Sequence, residues 1–455
     1  MEVMNTDPAE ARQFLEQHPD IEAIQVVITD LGGVARGKTI ARQELVPLYE
    51  NGRNVAGSIL GLDMRGEDVE ETGLVWSSGD ADKQCRPVPG TLKRAPWLQR
   101  PTGQLLMTMY DEDGTPASAD PRHALARVVR RLAVDGLHPV VAVELEFYLV
   151  EPDGGGVRPA TGLVSGEPSV RHDAYGLGKL DEMSPLFDEI YRTAQIQDLP
   201  VRTLMSEYAP GQFEVTLEHR ADALAAADDA IQWKRLVRGV AANHGRVATF
   251  MAKPFAGIAG SGMHVHVSLA GADGSNLFAS PDPAGTPLLR HAIGGLQAGM
   301  AEAMAVFAPN ANSYRRFRRQ SYAPIAATWG VNNRSVGFRI PSGPPVSRHV
   351  EHRICGADAN PYLAVATVLA GMHHGIVHRI DPGVPVTGNG YELPIDPALP
   401  LNWHAALEAA AGSALLKEYL GADFVRVFMA VKRAECDRFN ADPSELDYAW
   451  YLRLA

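Results

Sequence analysis

The sequence predicts an α+β fold in which a curved, mainly antiparallel sheet is backed by long helices. Three observations point to this fold. Short β-type stretches are interleaved with long helical ones, the β-type stretches beyond residue 140 carry polar side chains at every second position, and a turn followed by a helix start divides the chain between residues 112 and 120. Alternation with a period of two gives a strand one apolar face, which helices are expected to cover.

Length and charge limit the class of protein. At 455 residues the chain is about three times a typical domain, so it can bury a large core. A net charge of −12 argues against a nucleic-acid partner. Three scattered cysteines favour the reducing cytoplasm over a disulfide framework. No apolar run approaches the ~18 residues of a membrane span, so no membrane partner is expected.

The first part of the chain predicts a helical segment and then a small β-rich domain. Residues 1–20 are acidic and helical in character, and residues 21–115 contain short strands over 23–30, 35–40 and 104–110, with a helix over 42–51. A turn at 111–114 is followed by Asp120, an N-cap residue, and by Pro121 at the first helical position. The second domain is therefore expected to cover residues 116–455.

Residues 32–39 match the Walker A phosphate-binding pattern and follow a predicted strand. A Walker A loop opens a helix at its Lys-Thr pair, whereas here the alternating pattern continues to Ile40 and Pro47 limits any helix beyond. A hairpin turn over 31–34 fits these residues better.

The second domain is expected to alternate helices with strands. Helices are predicted over 122–135, 221–243, 287–307 and 361–374, with strands over 141–149 and around His264. Residues 154–178 are interpreted as an insertion loop, residues 382–400 as an irregular proline-rich segment, and the end of the chain as helical.

The stretch from residue 260 to 269 is the most informative one. Its odd positions from 263 to 269 are apolar, while His264, His266 and Ser268 share the opposite face of the predicted strand. Three other predicted strands repeat this design. Their polar faces carry Glu144 with Glu146, Glu214 with Glu207 just upstream, and Glu351 with Arg353.

A set of such polar faces is costly to bury unless the side chains bind cations and an anion. Several carboxylates with one imidazole suit Mg²⁺ or Mn²⁺ better than Zn²⁺. The alternative is that each strand simply turns a polar face to solvent, as antiparallel sheets often do.

At these residues the chain resembles the glutamine synthetase family, and within it the γ-glutamylputrescine synthetases. The resemblance runs from about residue 20 to Leu452. The stretches that carry it are 28–30, 36–38, 69–74, 144–149, 253–268, 312–317, 333–335 and 351–363, of which Gly-Ser-Gly-Met-His at 260–264 and Ala-Asn-Pro-Tyr at 359–362 are the most specific. It implies a β-grasp-like domain over 21–115 and a catalytic domain over 116–455.

The resemblance also implies roles for individual residues. One metal ion would be bound by Glu146, Glu207 and Glu214, and a second by Glu144, His264 and Glu351. The nucleotide and its phosphates would be bound by His266, Ser268, Arg334 and Arg339, and glutamate or the transferring phosphoryl group by Gly260, Arg316 and Arg353. The implied reaction uses ATP as co-substrate and proceeds through γ-glutamyl phosphate, with Arg334, Glu351 and Tyr322 as candidate catalytic residues.

Two departures from the family pattern concern the second substrate. Ala56 and Tyr322 stand where ammonia-using members carry carboxylates that bind and deprotonate ammonium. A third departure, Ala259, stands where those members have an asparagine beside the glutamate site. A pocket without those carboxylates is poor for ammonium and leaves room for an alkyl amine, with putrescine first among the candidates. Tyr322 is one candidate for the group that takes the proton from the amine.

Alternatives remain at this stage. They are a ligase for a monoamine such as ethanolamine or isopropylamine, an ordinary glutamine synthetase, and a non-catalytic relative. The acidic run over 63–71 is interpreted as a solvated loop, or else as a counter-charge for the distal ammonium of a diamine. The resemblance further implies a homo-oligomer, a dodecamer of two hexameric rings, with Ala56 meeting the active site of a neighbouring subunit.

Overall fold

The computed structural model describes residues 6–454 and has the predicted α+β composition. Two sheets dominate the described residues. The first sheet contains β1 (Ala23–Thr29), β2 (Ala35–Ala41), β3 (Arg53–Ala56), β4 (Asp82–Pro87), β5 (Lys93–Arg94) and β6 (Thr102–Tyr110). The second contains β7 (His138–Asp153), β8 (Gly156–Pro159), β9 (Val201–Ser206), β10 (Gln212–Leu217), β11 (Val247–Thr249), β12 (Met263–Ala270), β13 (Trp329–Val331), β14 (Phe338–Ile340) and β15 (Val350–His352).

Helices surround both sheets. Those of the described residues are α1 (Pro8–Gln17), α2 (Leu45–Asn51), α3 (Pro121–Val134), α4 (Leu177–Glu182), α5 (Ser184–Ile196), α6 (Ala223–Asn243), α7 (Pro287–Phe307), α8 (Pro361–His378), α9 (Trp403–Gly412), α10 (Ala414–Leu420), α11 (Ala422–Ala441) and α12 (Glu445–Tyr451). Among them, none is both long and apolar enough to cross a bilayer.

The hairpin of the first sheet shows that residues 32–39 do not form a Walker A loop. Strands β1 and β2 pair in antiparallel register, and Lys38 and Thr39 lie inside β2 and not at the start of a helix. The turn between them contains Gly33, whose φ of 78° is the left-handed conformation that glycine adopts without a steric penalty. The predicted hairpin is confirmed.

The second sheet is curled and mainly antiparallel, and it positions the polar strands. Its central strands run in the order β15, β12, β7, β10 and β9. The apolar face of β12 is buried completely, with Met263, Val265, Val267 and Leu269 at 0% exposure. The strand therefore packs one face into the core, as its alternating sequence predicts.

The Ala-Asn-Pro-Tyr motif at the start of α8 contacts both halves of the chain. The side chain of Asn360 caps α8 by accepting a hydrogen bond from the Tyr362 N–H (3.0 Å), and its amide donates to the carbonyls of Asp30 (2.9 Å) and Leu31 (3.3 Å) beside the hairpin turn. The Tyr362 hydroxyl donates to buried Asp228 on α6 (2.6 Å). The Ala-Asn-Pro-Tyr run thus anchors α8 to the first sheet and to α6.

Most predicted elements are present, with changes at their ends. The helix predicted over 42–51 begins with a 3₁₀ turn at Arg42–Glu44 before α2, and α8 extends four residues beyond the predicted end. The insertion loop predicted over 154–178 is wrong in part, because β8 lies within it and pairs with β7, which runs on to Asp153. Residues 1–5 of the predicted N-terminal segment lie outside the described residues, and the domain boundaries stay predictions.

Candidate active site

Strand register brings the predicted polar side chains onto one face of the second sheet. Glu214 on β10 is paired with Glu146 on β7, and Glu144 on β7 is paired with His264 on β12. Strand β15 then places Glu351 beside β12. Because side chains at paired positions share a face, these groups meet although they lie far apart in sequence.

His264 lies at the centre of the carboxylates. Its Nδ1 is 3.2 Å from Glu144 Oε2 and 3.7 Å from Glu351 Oε1, and its Nε2 is 4.0 Å from Glu146 Oε1. Potential metal-ligand atoms form two sets, and within each set all atoms lie within 4.8 Å of one another. One set comes from Glu144, His264 and Glu351, and the other from Glu146, Glu214 and His264. His264 and Glu351 are 6% and 1% exposed, so this face is not a solvated one.

Burial and mutual repulsion oppose the ionisation of two of these carboxyl groups. Burial, and then the nearby Glu207, raise the pKa of Glu146 to about 8. Burial and the surrounding carboxylates hold the pKa of Glu214 well above its usual range. A cation placed among them would remove this penalty.

The opposite shift is found at Glu144 on β7 and Glu351 on β15, the two carboxylates on the strands that flank β12. Burial alone would raise the pKa of Glu144, but His266 and His264 have the larger effect and hold this pKa below its usual range. Burial would also raise the pKa of Glu351, but Arg353 and the two histidines lower it to about 2. These two carboxylates are ionised at neutral pH.

Two buried arginines hold Glu351. The Arg339 Nη1 donates to one carboxylate oxygen at 2.6 Å, and the Arg353 Nη1 donates to the other. The Nε–H groups of both guanidinium groups have no acceptor among the described residues. A third buried arginine, Arg316, donates to the carbonyl of Ile354 at 3.0 Å. This side therefore has spare donors and positive charge for an anionic group.

A cavity of about 730 Å³ opens onto these groups. The predicted site residues that line it are Glu146, Glu207, Glu214, Gly260, His264, Arg316, Tyr322, Arg334 and Arg353. Glu146 is held at its wall by the Gly262 N–H (2.8 Å) and by Gln212 Nε2 (3.2 Å), which also donates to the Gly260 carbonyl (3.0 Å). The loop at Gly260 and the carboxylate of Glu146 are thereby fixed relative to each other.

The remaining predicted residues lie beside this cavity or away from it. Glu144, Glu351, Arg339 and His266 continue the polar face, and Ser268 lies farther along β12. Glu207 lines the cavity, but its carboxylate is outside the two sets of clustered ligand atoms and accepts from the Tyr208 N–H at 3.0 Å. Ala56 ends β3 in the first sheet and does not line the cavity of its own chain.

Two further residues belong to this face and were not predicted as site residues from the sequence. The His349 Nε2 lies 3.0 Å from His266 Nδ1, and Gln212 contacts Glu146 as described. The signal that could have found them is the same alternation, because His349 precedes Glu351 by two positions and Gln212 precedes Glu214 by two.

The acidic run over 63–71 makes contacts inside its own chain. The carboxylate of Asp63 is buried and accepts from Arg438, which also lies 3.0 Å from Glu67. Glu70 accepts from the N–H groups of Trp76 and Ser77 at 3.0 Å each. These three carboxylates therefore tie the loop to α11 and to its own turn.

The donor set fits Mg²⁺ or Mn²⁺. Carboxylate oxygens outnumber nitrogens and the cluster is buried. Burial and the neighbouring carboxylates raise the pKa values of Glu146 and Glu214, so a bound cation would favour their ionised forms. The three cysteines are buried free thiols, and none is among the clustered ligand atoms. The cluster therefore lacks the thiolate ligands of a structural zinc site.

Comparison with known proteins gives a consistent result. Residues 118–451 match the catalytic domain of glutamine synthetase. The chain is 39% identical over 449 residues to gamma-glutamylputrescine synthetase PuuA of Escherichia coli strain K12, covering 98% of this chain and 95% of that protein. It is 32% identical to a glutamate–isopropylamine ligase of a Pseudomonas species, with 97% of each chain covered. A solved structure of GmaS in complex with ADP superposes with a TM-score of 0.84 at 31% identity, covering 99% of this chain and 100% of the other.

Proposed function

Because this chain belongs to the glutamine synthetase family, we propose that it is an ATP-dependent ligase that joins the γ-carboxylate of L-glutamate to a primary amine, putrescine. The products are γ-glutamylputrescine, ADP and phosphate. The observation that carries this proposal is the buried face of carboxylates, His264 and arginines beside a substrate-sized cavity, in a chain 39% identical to a γ-glutamylputrescine synthetase.

The proposed metal ligands are those predicted from the sequence. Glu146, Glu207 and Glu214 would hold one Mg²⁺ or Mn²⁺ ion, and Glu144, His264 and Glu351 the other. When bound, such ions neutralise the charge that would otherwise keep a carboxylate away from a triphosphate. A ligand atom of His264 lies within 4.8 Å of those of Glu144 and Glu351, and likewise of those of Glu146 and Glu214.

The chain's own residues would position the two reacting anions. In the first step an oxygen of the glutamate γ-carboxylate attacks the γ-phosphorus of ATP, and the bond between that phosphorus and the ADP oxygen breaks. Arg339 and Arg334 would bind the phosphates, while Arg316, Arg353 and the Gly260 loop would hold glutamate. The ion pairs of Arg339 and Arg353 with Glu351 fix both guanidinium groups before substrate arrives, which lowers the cost of ordering them.

In the second step the amine nitrogen attacks the activated carbonyl carbon and phosphate leaves with the electrons of the C–O bond. The attacking amine must lose a proton, and the candidate acceptor is the phenolate form of Tyr322, which lines the cavity and is 65% exposed. The nearby wall includes Ala256, Ile258 and Ala259, whose apolar side chains suit methylene groups. Desolvation by such a wall lowers the pKa of an alkylammonium and favours the free amine.

A monoamine is the second candidate substrate, since a relative with 97% coverage is a glutamate–isopropylamine ligase. We further propose that the enzyme works in the cytoplasm as a dodecamer of two hexameric rings, in which Ala56 of one subunit borders the amine site of the next.

The test is ADP release from ATP and L-glutamate with and without a panel of amines. We expect release to depend on glutamate and on a primary amine, with putrescine used at the lowest KM. Release that requires no amine, or no release with any amine or ammonium, would contradict the proposed function.

A further inference from the structure

The cavity is lined by three tyrosines with exposed side chains. Tyr175, Tyr208 and Tyr322 are 64%, 52% and 65% exposed, and all three line the cavity of about 730 Å³. Exposed aromatic side chains gathered at one cavity are unusual on a folded surface and often mark a binding site.

The backbone of two of these residues is strained. Tyr175 and Tyr322 adopt the left-handed region, with φ of 61° and 57°. This region is costly for a bulky side chain, and such strain is concentrated at ligand sites. The Tyr175 N–H donates to the Ser206 carbonyl at 3.0 Å, so the strained loop is anchored to the strand that leads to Glu207.

Tyr208 is also held in place. Its ring lies 4.7 Å from that of His172 with an interplanar angle of 31°. The N–H of Asp173 donates to the Tyr208 carbonyl at 3.2 Å. The loop that carries Tyr175 and the residue after Glu207 therefore form one connected wall of the cavity.

Charged side chains limit where a second positive charge can lie in the cavity. Arg318 and Arg319 flank the loop of Tyr322 and would repel a second positive charge. Tyr208 directly follows Glu207 in the chain, and the nearby Lys179 Nζ is already engaged by the carbonyls of Asp173, Glu207 and Ala209. The carboxylates of the alternative counter-charges already have partners in their own chain: Asp63 and Glu67 pair with Arg438 on α11, and Glu70 accepts from the Trp76 N–H.

We propose that Tyr175 and Tyr208 form an aromatic site for the distal ammonium of a diamine, with Tyr322 as the facing wall for its methylene groups. The face of a phenol ring attracts an ammonium through its quadrupole without a full negative charge. This inference rests on the proposed function, and it names the group that separates a diamine from a monoamine of the same length.

The experiment compares KM for putrescine and for butylamine, which has the same four carbons and one charge fewer. Tyr208→Phe and Tyr175→Phe keep the ring face and should leave the ratio of the two KM values near that of the unmodified enzyme. Tyr208→Leu and Tyr175→Leu keep apolar bulk without the ring, and each should raise KM for putrescine roughly 3- to 10-fold more than KM for butylamine. Tyr448→Ala, at a similarly exposed tyrosine on α12 outside the cavity, is the matched control.

The outcomes are distinct. Equal changes for both amines in the Leu variants, or an unchanged KM for putrescine, would overturn the aromatic site alone. Absence of any amine-dependent ADP release by the unmodified enzyme would overturn the proposed function and the aromatic site with it. An unchanged KM for L-glutamate in all variants shows that the Leu substitutions have not disturbed the rest of the site.

Discussion

At the scale of single residues, the site keeps several like charges in a small buried volume. Glu146 and Glu214 have raised pKa values, whereas Glu144 and Glu351 are kept ionised by histidines and arginines. The chain therefore contains one half of the site that is ready to bind cations at neutral pH and another half that must first lose protons. Metal binding should release protons and tighten as pH rises toward about 8.

This asymmetry predicts a pH-dependent stability in the metal-free protein. Glu146 has a folded pKa of about 8, above its ordinary value of 4.5, so the folded state holds the proton more tightly than the unfolded state does. Stability without metal should then fall as pH rises from about 5 to 8. Glu146→Gln removes the titrating group and should flatten this slope while abolishing ADP release.

The measurement is the thermal midpoint at several pH values in the presence of a chelator, repeated with Mg²⁺. The control is Glu408→Gln, at an exposed position on α9. Identical slopes for the Glu146→Gln variant and the unmodified protein would show that Glu146 does not carry this charge penalty.

A second prediction at this scale concerns the nucleophile. Ala56→Asp combined with Tyr322→Glu restores the two carboxylates that ammonia-using members carry, and should lower KM for ammonium relative to putrescine. Steady-state rates with each amine at fixed glutamate and ATP measure the change. A double variant that retains the preference of the unmodified enzyme would show that these positions do not select the nucleophile.

Much of the site could be predicted from the sequence at this scale. Alternation of polar and apolar residues shows which side chains share a strand face, and side chains on the same face of a sheet are neighbours. His264, His266 and the four clustered glutamates were found in this way. Alternation does not indicate which carboxylates approach most closely, and the structure groups His264 with Glu146 and Glu214 and leaves Glu207 farther out. That distinction depends on where the loop after β9 turns, which no periodic pattern encodes.

At the scale of elements, the start of α8 is one connection between the two halves of the chain. Asn360 makes one capping bond and two bonds to the hairpin carbonyls. An added Cβ at Gly33 would lie 3.1 Å from the Asn360 Cα, so the hairpin turn and the helix start are in close contact. The family-specific motif at 359–362 is thus explained by packing and not by chemistry on substrate.

This junction can be tested by comparing two helix caps. Asn402 caps α9 through the Ala405 N–H and is exposed, so Asn402→Ala should cost about 1 kcal/mol. Asn360→Ala also removes two buried bonds and should cost roughly 1 to 3 kcal/mol more. Asn360→Ser, which can keep the cap, should recover about 1 kcal/mol of the loss.

The check is the free energy of unfolding from chemical denaturation of each variant. Equal losses for Asn360→Ala and Asn402→Ala would mean that the bonds to Asp30 and Leu31 contribute nothing to stability.

Long periodic elements could be predicted from the sequence at this scale, and short ones could not. Helix α7 has the predicted bounds, and β1 ends one residue before its predicted end. The glycines at 154–156 predict a loop where β8 lies, and the structure shows that the four residues of β8 are exposed or half-buried and lack an apolar face. It is a strand only because β7 extends far enough to pair with it.

At the scale of the whole molecule, Ala56 and the cavity belong to different sheets. Within the described residues the cavity is lined by segments beyond residue 145. If Ala56 borders the amine site, it does so from a neighbouring subunit, and each site then needs two chains.

Mixing two inactive variants tests this arrangement. Ala56→Trp should block the amine site of the neighbouring subunit, and Glu146→Gln should inactivate the site of its own chain. Random co-assembly leaves about a quarter of the sites with both intact residues, so activity should return to roughly that fraction. Differently tagged subunits confirm co-assembly, and mixed particles without activity would contradict a shared site.

The central claim is that this glutamine synthetase family member uses a diamine and not ammonia. The most direct measurement is a competition in which putrescine and ammonium are present at equal concentration with L-glutamate, ATP and Mg²⁺ at pH 7.5, and both products are quantified by mass spectrometry. The ratio of products equals the ratio of the two kcat/KM values. We predict that γ-glutamylputrescine exceeds glutamine at least roughly tenfold, and glutamine formed in equal or larger amount would contradict the claim.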